Sequence, residues 1–179
     1  MHMLENGRVF TLANGVTLLR LALALPAGYL ALAGGEGAGR VAALAVFLAA
    51  ALSDGLDGYL ARSRNEVSGF GQLVDPIADK ALGIAVMGAL VLRGSLPAWA
   101  LWALVIKEGL LVLGGGVILR TGGRVIAARL PGKIATVVLF TGIAALLAGL
   151  EALGRPVVLA GVGLSLVAGV DYAVRVLRR

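Results

Sequence analysis

Four aspartates lie close together in an otherwise very apolar chain. They are Asp54, Asp57, Asp75 and Asp79, and the chain has only ten acidic residues among its 179. A charged side chain inside a membrane costs about 2.5–3.5 kcal/mol on insertion scales, so such a cluster needs a compensating partner. Hard divalent cations such as Mg²⁺ bind carboxylate oxygens. The aspartates therefore predict a divalent metal site.

The spacing of these carboxylates indicates helices. Asp54 and Asp57 are three residues apart, and Asp75 and Asp79 are four apart, so each pair lies on one face of a helix. An antiparallel hairpin of the two helices would bring the pairs to one depth. Four carboxylates then suit one or two ions, and two ions about 3.5–4 Å apart can clamp a phosphoryl group.

Small residues and an arginine surround the aspartates. Gly58, Ala61 and Gly71 would let a bulky ligand approach the backbone and the metal, and Arg62 offers a fork of hydrogen-bond donors to phosphate. Together with a cation-binding face, they indicate a nucleotide diphosphate as the ligand.

The composition indicates what holds this site. The chain is 59% hydrophobic and 15% charged, with a mean hydropathy of +0.96; soluble domains are about 25% charged. We expect an integral membrane protein with one all-α domain over residues 1–179. With no cysteine, disulfides and thiolate metal sites are excluded, and the lone His2 at the start excludes histidine catalysis.

Six apolar segments approach the roughly 20 residues that a membrane helix needs. Glycine and proline separate them at Gly34–Gly37, at Gly94 to Pro97 and at Gly154–Pro156. The predicted spans are Thr11–Leu32, Arg40–Arg62, Leu73–Arg93, Leu96–Arg120, Leu130–Leu150 and Pro156–Leu177.

The basic residues predict the orientation. One side of the predicted bundle carries only Arg40, Arg93 and Arg155. By the positive-inside rule the other side is cytoplasmic, with both termini and the aspartates facing it in the cell (inner) membrane. The formal charge of +6 then indicates anionic lipid and not nucleic acid, since only 5% of residues are aromatic. The cytoplasmic set is Arg8, Arg62, Arg64, Arg120, Arg124, Arg129, Lys133, Arg175, Arg178 and Arg179.

The full pattern is Asp54-x2-Asp57-Gly58-x2-Ala61-Arg62-x8-Gly71-x3-Asp75-x3-Asp79. It resembles the signature of the CDP-alcohol phosphotransferase family at all eight positions, and the family's six-span architecture matches as well. The resemblance implies a transferase that moves a substituted phosphate from a CDP-linked lipid to an alcohol and releases CMP, and the donor that it favours is CDP-diacylglycerol, which carries the phosphatidyl group. It also implies two Mg²⁺ or Mn²⁺ ions and a homodimer.

The resemblance assigns roles by position in the signature. Asp54, Asp57 and Asp75 correspond to metal ligands, and Asp79 corresponds to a metal ligand that is also the general base on the acceptor hydroxyl. The positions that correspond to the cytidine diphosphate site are Asp57, Gly58, Ala61, Arg62 and Gly71.

Two further segments resemble members of the family that make phosphatidylglycerophosphate. Asn14 and Thr17 would join the cytidine site and Arg20 the acceptor site; alternatively Asn14 is a helix N-cap and Arg20 snorkels to the surface. Gly132-Lys133-x2-Thr136 would hold an acceptor phosphate through Lys133. Arg124 and Arg129 would assist it, or belong to an ordinary positive-inside loop.

The chain departs from those members in its fourth span. They carry an Arg-Glu pair followed by a second arginine, where this chain has Lys107-Glu108 followed by Gly114, Gly115 and Gly116. Lys107 is thus either a phosphate ligand or half of a structural ion pair. Among acceptors, sn-glycerol 3-phosphate is favoured, with phosphatidylglycerol (giving cardiolipin) and an inositol phosphate as alternatives.

Two other classes of protein would also place acids in a membrane. A divalent-cation or proton-coupled transporter predicts acidic residues at the midplane of several helices, whereas these acids are confined to one predicted hairpin. A non-catalytic scaffold leaves the energetic cost of the aspartates unexplained. The enzyme is the favoured interpretation.

Overall fold

The computed structural model describes the backbone of residues 12–35, 37–64, 69–120 and 130–177, and the side chains of residues 22–35, 37–52, 80–114 and 130–175. This part of the chain contains six helices and no strand, which confirms the all-α class. The helices are α1 (Leu12–Ala33), α2 (Ala38–Arg64), α3 (Gly69–Leu92), α4 (Ala98–Arg120), α5 (Leu130–Leu147) and α6 (Glu151–Leu177).

Glycine ends two of these helices in the same way. After α3, Gly94 adopts a φ of 76°, its N–H bonds to the Val91 carbonyl at 2.9 Å, and the N–H of Ser95 bonds to the Leu90 carbonyl at 3.0 Å. After α5, Gly149 has a φ of 87°, and its N–H and that of Leu150 make the equivalent bonds. This is the Schellman pattern, in which a left-handed residue lets the chain satisfy the last carbonyls of a helix.

The predicted break before Pro156 is wrong. The chain turns at residues 148–150 instead, and α6 begins at Glu151 with Pro156 inside it. Gly149 supplies the left-handed turn, and the N–H groups of Leu153 and Gly154 already bond to the Leu150 carbonyl. Pro156 is the sixth residue of α6 and removes one backbone hydrogen bond from it, but the helix continues through it, so Pro156 does not set the boundary here.

The chain divides into two compact units, residues 1–89 and 90–179. In the first unit α1 packs on α2 through small residues, with Ala24, Ala27 and Ala31 of α1 buried and Phe47 of α2 only 1% exposed. In the second unit α6 packs on both α5 and α4. Its core contains Leu96, Ala100, Leu104, Leu139, Ile143, Val158 and Val162.

The surface of the described helices is also apolar. Trp99, Trp102, Ile106, Leu110 and Leu113 follow one another along α4 and are 58–69% exposed. Water would make such a surface unfavourable, whereas lipid tails would cover it. Within the described residues, Leu130–Leu147 and Glu151–Arg175 are long and apolar enough to cross a membrane. Six spans and cytoplasmic termini remain predictions.

Candidate active site

The four aspartates occupy two helices, as their spacing predicts. Asp54 and Asp57 lie in the last three turns of α2, and Asp75 and Asp79 lie in the first half of α3. Their side chains, and those of Gly58, Ala61, Arg62 and Gly71, lie outside the described residues. The convergence of the carboxylates therefore stays a prediction. The described side chains contain no other group of three or more His, Cys, Asp or Glu residues that could hold a metal ion.

The donor set suits a hard cation. All four predicted ligands are carboxylates placed one helical turn apart in pairs, and oxygen ligands of this kind are what Mg²⁺ and Mn²⁺ bind. No histidine or cysteine competes as a softer ligand in the helices concerned. The chemistry of these residues thus fits the two divalent ions that the sequence predicts.

Asn14, Thr17 and Arg20 all lie in α1, with side chains outside the described part of the chain. Because the described part of α1 already includes Leu12 and Ala13, Asn14 lies inside the helix and is not the residue that caps it. The N-cap interpretation of Asn14 is therefore wrong, and its assignment to the cytidine site stays a prediction.

Lys133 is the described member of the predicted acceptor-phosphate segment. It is exposed in the first turn of α5, a turn that contains no acidic residue. The first N–H groups of a helix have no partner within it and favour an anion. Nearby, the Thr136 hydroxyl donates to the Gly132 carbonyl at 3.1 Å. Arg124 and Arg129 lie outside the described residues.

Lys107 belongs to a polar cluster between α4 and α6. Its Nζ forms an ion pair with the neighbouring Glu108 and donates a hydrogen bond to Ser165 Oγ of α6 at 2.8 Å. The two charged side chains are only 14% exposed. The ion pair, which is one of the two interpretations of Lys107-Glu108 from the sequence, is thus confirmed.

Ser165 was missed by the sequence analysis. It is the only buried polar residue in the part of the chain whose side chains are described, with 8% exposure. One signal was available, because a lone serine inside an apolar membrane helix needs a hydrogen-bond partner. Nothing in the sequence identified that partner, since Lys107 lies 58 residues earlier.

A cavity of about 540 Å³ lies between α4 and α6, beside this cluster. Its volume is in the range of sites for small ligands, about 300–1,000 Å³. Most of its wall is aliphatic, and Lys107 supplies the one formal charge. The lining includes Ile106, Lys107, Leu110 and Gly114 from α4, and Gly169 and Tyr172 from α6.

Paired acidic residues on two helices and a lysine at a helix start are features that proteins acting on phosphate esters use. Comparison with known proteins gives the family. The model of the CDP-alcohol phosphatidyltransferase family matches residues 10–169, and the chain belongs to this family. It is an enzyme of phospholipid synthesis.

Individual relatives extend over most of the chain. A protein from Mycobacterium tuberculosis named probable phosphatidylglycerophosphate synthase is 41% identical over 96% of this chain and 84% of its own length. The CDP-diacylglycerol–glycerol-3-phosphate 3-phosphatidyltransferase of Bacillus subtilis is 36% identical over 78% of this chain and 77% of its own. A CMP-forming cardiolipin synthase of Streptomyces coelicolor is 36% identical over 52% of this chain and 44% of its own.

These matches decide between the classes of protein considered from the sequence. They favour the enzyme over the transporter and the scaffold, and they agree with the eight-residue signature. The family generally depends on a divalent metal ion and acts on a CDP-linked substrate and an alcohol acceptor.

Proposed function

We propose that this enzyme transfers the phosphatidyl group of CDP-diacylglycerol to sn-glycerol 3-phosphate, giving phosphatidylglycerophosphate and CMP. The observation that carries this proposal is the 41% identity to a probable phosphatidylglycerophosphate synthase over nearly the whole chain. The B. subtilis relative, whose name states the same acceptor, supports it.

In this proposal α2 and α3 hold the reacting diphosphate. Asp54, Asp57, Asp75 and Asp79 bind two Mg²⁺ or Mn²⁺ ions, which when bound neutralise the diphosphate and the charge that develops on CMP. Arg62 donates hydrogen bonds to the phosphates. The remaining residues of the cytidine diphosphate site are Asn14, Thr17, Gly58, Ala61 and Gly71.

The transfer itself makes one bond and breaks one. The acceptor hydroxyl oxygen attacks the phosphorus that carries the diacylglycerol, and the bond from that phosphorus to the bridging oxygen breaks, so that CMP leaves with the electron pair. Asp79 accepts the proton of the hydroxyl. A carboxylate is a weak base at neutral pH, so much of its contribution is to orient the hydroxyl for attack.

The acceptor phosphate is held by basic residues. Lys133 stands at the start of α5, where the backbone N–H groups add to its charge. Lys107 supplies a second ammonium group, between α4 and α6. Arg20, Arg124 and Arg129 complete the proposed set.

A second acceptor has an observation in its favour. The cavity beside Lys107 is lined largely by aliphatic side chains, which suit a lipid better than a free sugar phosphate. The acceptor would then be phosphatidylglycerol, with only part of the lipid inside the cavity, and the product would be cardiolipin, as the name of the S. coelicolor relative states for that protein.

We further propose that residues 1–179 form one catalytic domain with six spans in the cell membrane. Both termini and the active site face the cytoplasm, and the protein is a homodimer. The excess of basic residues on one side of the predicted bundle supports the orientation.

An acceptor screen tests the proposed reaction. Purified protein in detergent receives CDP-diacylglycerol, Mg²⁺ and one acceptor at a time, and released CMP is measured. We expect CMP with sn-glycerol 3-phosphate, little with glycerol or inositol 1-phosphate, and none when EDTA replaces Mg²⁺. CMP release with phosphatidylglycerol alone would replace the proposed acceptor by the second one.

A further inference from the structure

The whole side chain of Lys107, from the carbon stem to the ammonium group, lies against α6. Its ammonium group donates to Ser165 Oγ at 2.8 Å and pairs with Glu108. Four residues beyond Ser165, on the same face of α6, Gly169 faces the carbon stem of the lysine. A Cβ atom at Gly169 would lie 3.1 Å from Lys107 Cγ and 3.3 Å from Cδ, so glycine leaves the room that this stem occupies.

This arrangement removes the usual freedom of a lysine. An unrestrained lysine side chain gives up about 1.5–2 kcal/mol of conformational entropy when it is fixed. Here the stem lies against α6 in the room that Gly169 leaves, and Ser165 and Glu108 hold the charged end before any ligand binds. A ligand that needs the ammonium in this place therefore meets a group that is already oriented.

The fixed ammonium group also has a space beside it. Lys107 and Gly169 both line the cavity of about 540 Å³ between α4 and α6, whose wall carries no other formal charge. Glu108 offsets part of the charge of Lys107, but the attraction between an ammonium group and an anion is stronger beside an apolar space than in water. Lys107 is therefore the place in this cavity where an anionic phosphate would bind, whereas the aliphatic wall suits the apolar part of a ligand.

We propose that Ser165 is a positioning residue, which holds the ammonium group of Lys107 in place to bind the phosphate of the acceptor, while Gly169 leaves room for the lysine stem. This inference rests on the proposed function, and it adds a residue of α6 to the acceptor site. Ser165 acts through Lys107 and does not touch the acceptor.

The experiment compares kinetic constants for sn-glycerol 3-phosphate and for CDP-diacylglycerol. In Ser165→Ala we expect the KM for sn-glycerol 3-phosphate to rise about 10-fold, because a hydrogen bond to a charged group is lost. The kcat and the KM for CDP-diacylglycerol should stay unchanged. Ser165→Thr keeps the hydroxyl and should restore most of the acceptor affinity.

A double-mutant cycle separates positioning from general structural support. In a Lys107→Met background, adding Ser165→Ala should change the acceptor KM by less than about twofold, because the residue through which Ser165 acts is gone. Thr141→Val is the matched control. Its hydroxyl donates to the Val137 carbonyl of its own helix at 2.8 Å and is exposed, so its loss should leave the acceptor KM unchanged.

Three results would overturn the inference in different ways. Equal effects of Ser165→Ala with and without Lys107 would show that Ser165 supports the fold and not the ammonium group. A fall in kcat of Ser165→Ala at an unchanged acceptor KM would also show that Ser165 does not act on acceptor binding. If the wild-type protein uses only acceptors that lack a phosphate monoester, the proposed acceptor falls together with the inference; the first two results leave that acceptor intact.

Discussion

Lys107 and Glu108 are adjacent charged residues in an apolar helix, and the structure accounts for their presence there. The two side chains neutralise each other and reach a hydroxyl on α6. A buried charge without such partners would be strongly unfavourable. Near the end of α6, the half-buried Arg175 pairs with the exposed Asp171 one turn earlier, an arrangement that a four-residue spacing on a helix favours.

The residue scale also shows the limit of a sequence pattern. The spacing of Asp54, Asp57, Asp75 and Asp79 places them correctly on two helices, because spacing reports helical phase. It cannot report Ser165 as the partner of Lys107, since that contact depends on how α4 and α6 pack. Helical periodicity can be predicted from the local sequence, whereas contacts between helices that are distant in the sequence depend on how the helices pack.

Lys133→Ala tests the proposed phosphate site at the start of α5. Loss of the ammonium group should raise the KM for sn-glycerol 3-phosphate about 10-fold, because a charge-assisted hydrogen bond is removed. Steady-state CMP release over a range of acceptor concentrations measures it. Arg155→Ala, an exposed cation on the predicted opposite side of the membrane, is the control and should keep the wild-type KM. An unchanged KM in Lys133→Ala would indicate an acceptor without a phosphate at this position.

Helices α5 and α6 show how elements pack in this chain. A Cβ atom at Gly142 of α5 would lie 2.5 Å from the backbone nitrogen of Val158, and one at Gly161 of α6 would lie 2.7 Å from the backbone of Leu139. The two backbones thus approach each other through glycines, as membrane helices do when small residues line their interface. The abundance of glycine in the sequence indicates close packing in general but does not say which glycines form the interface.

Gly142→Ala tests this packing. The added methyl group meets backbone that cannot move aside, so we expect the variant to lose about 1–3 kcal/mol of stability and to unfold at a lower temperature in detergent. Gly163→Ala on α6 is the matched control, because a Cβ atom there meets nothing within 4 Å. Its midpoint should equal or exceed that of the wild type, since alanine favours helix over glycine. Equal loss in both variants would contradict the close approach.

At the scale of elements, the apolar segments and the glycines and prolines between them predict most helix boundaries. The predicted ends of the first and third spans lie within one residue of the structure, and the predicted starts of the second and fourth lie within two. The error at Pro156 has a physical cause, because two breakers, Gly149 and Pro156, lie seven residues apart and only glycine supplies the left-handed turn. The sequence alone does not show which of these two residues separates the helices.

At the scale of the whole chain, the described helices expose apolar side chains and the sequence carries a net positive charge. The exposed side chains of α4 and the formal charge of +6 suit a helix bundle in a bilayer with anionic headgroups on one side. The family follows from the sequence signature alone, because eight positions with fixed spacing are specific. The acceptor does not, since the residues that would bind it come from several helices and loops.

The most direct test of the central claim, that the aspartates of α2 and α3 hold the metal ions on which transfer depends, is CMP release by Asp75→Asn. Purified in detergent, this variant should show the wild-type thermal midpoint or a higher one, because removing a carboxylate from a like-charged cluster relieves repulsion in the absence of metal. With CDP-diacylglycerol, sn-glycerol 3-phosphate and saturating Mg²⁺, its rate should fall at least about 1,000-fold, the scale of losing a key stabiliser of the transition state. Asp171→Asn, an exposed aspartate of α6, should retain the wild-type rate. Turnover by Asp75→Asn at a rate comparable to wild type would contradict the account.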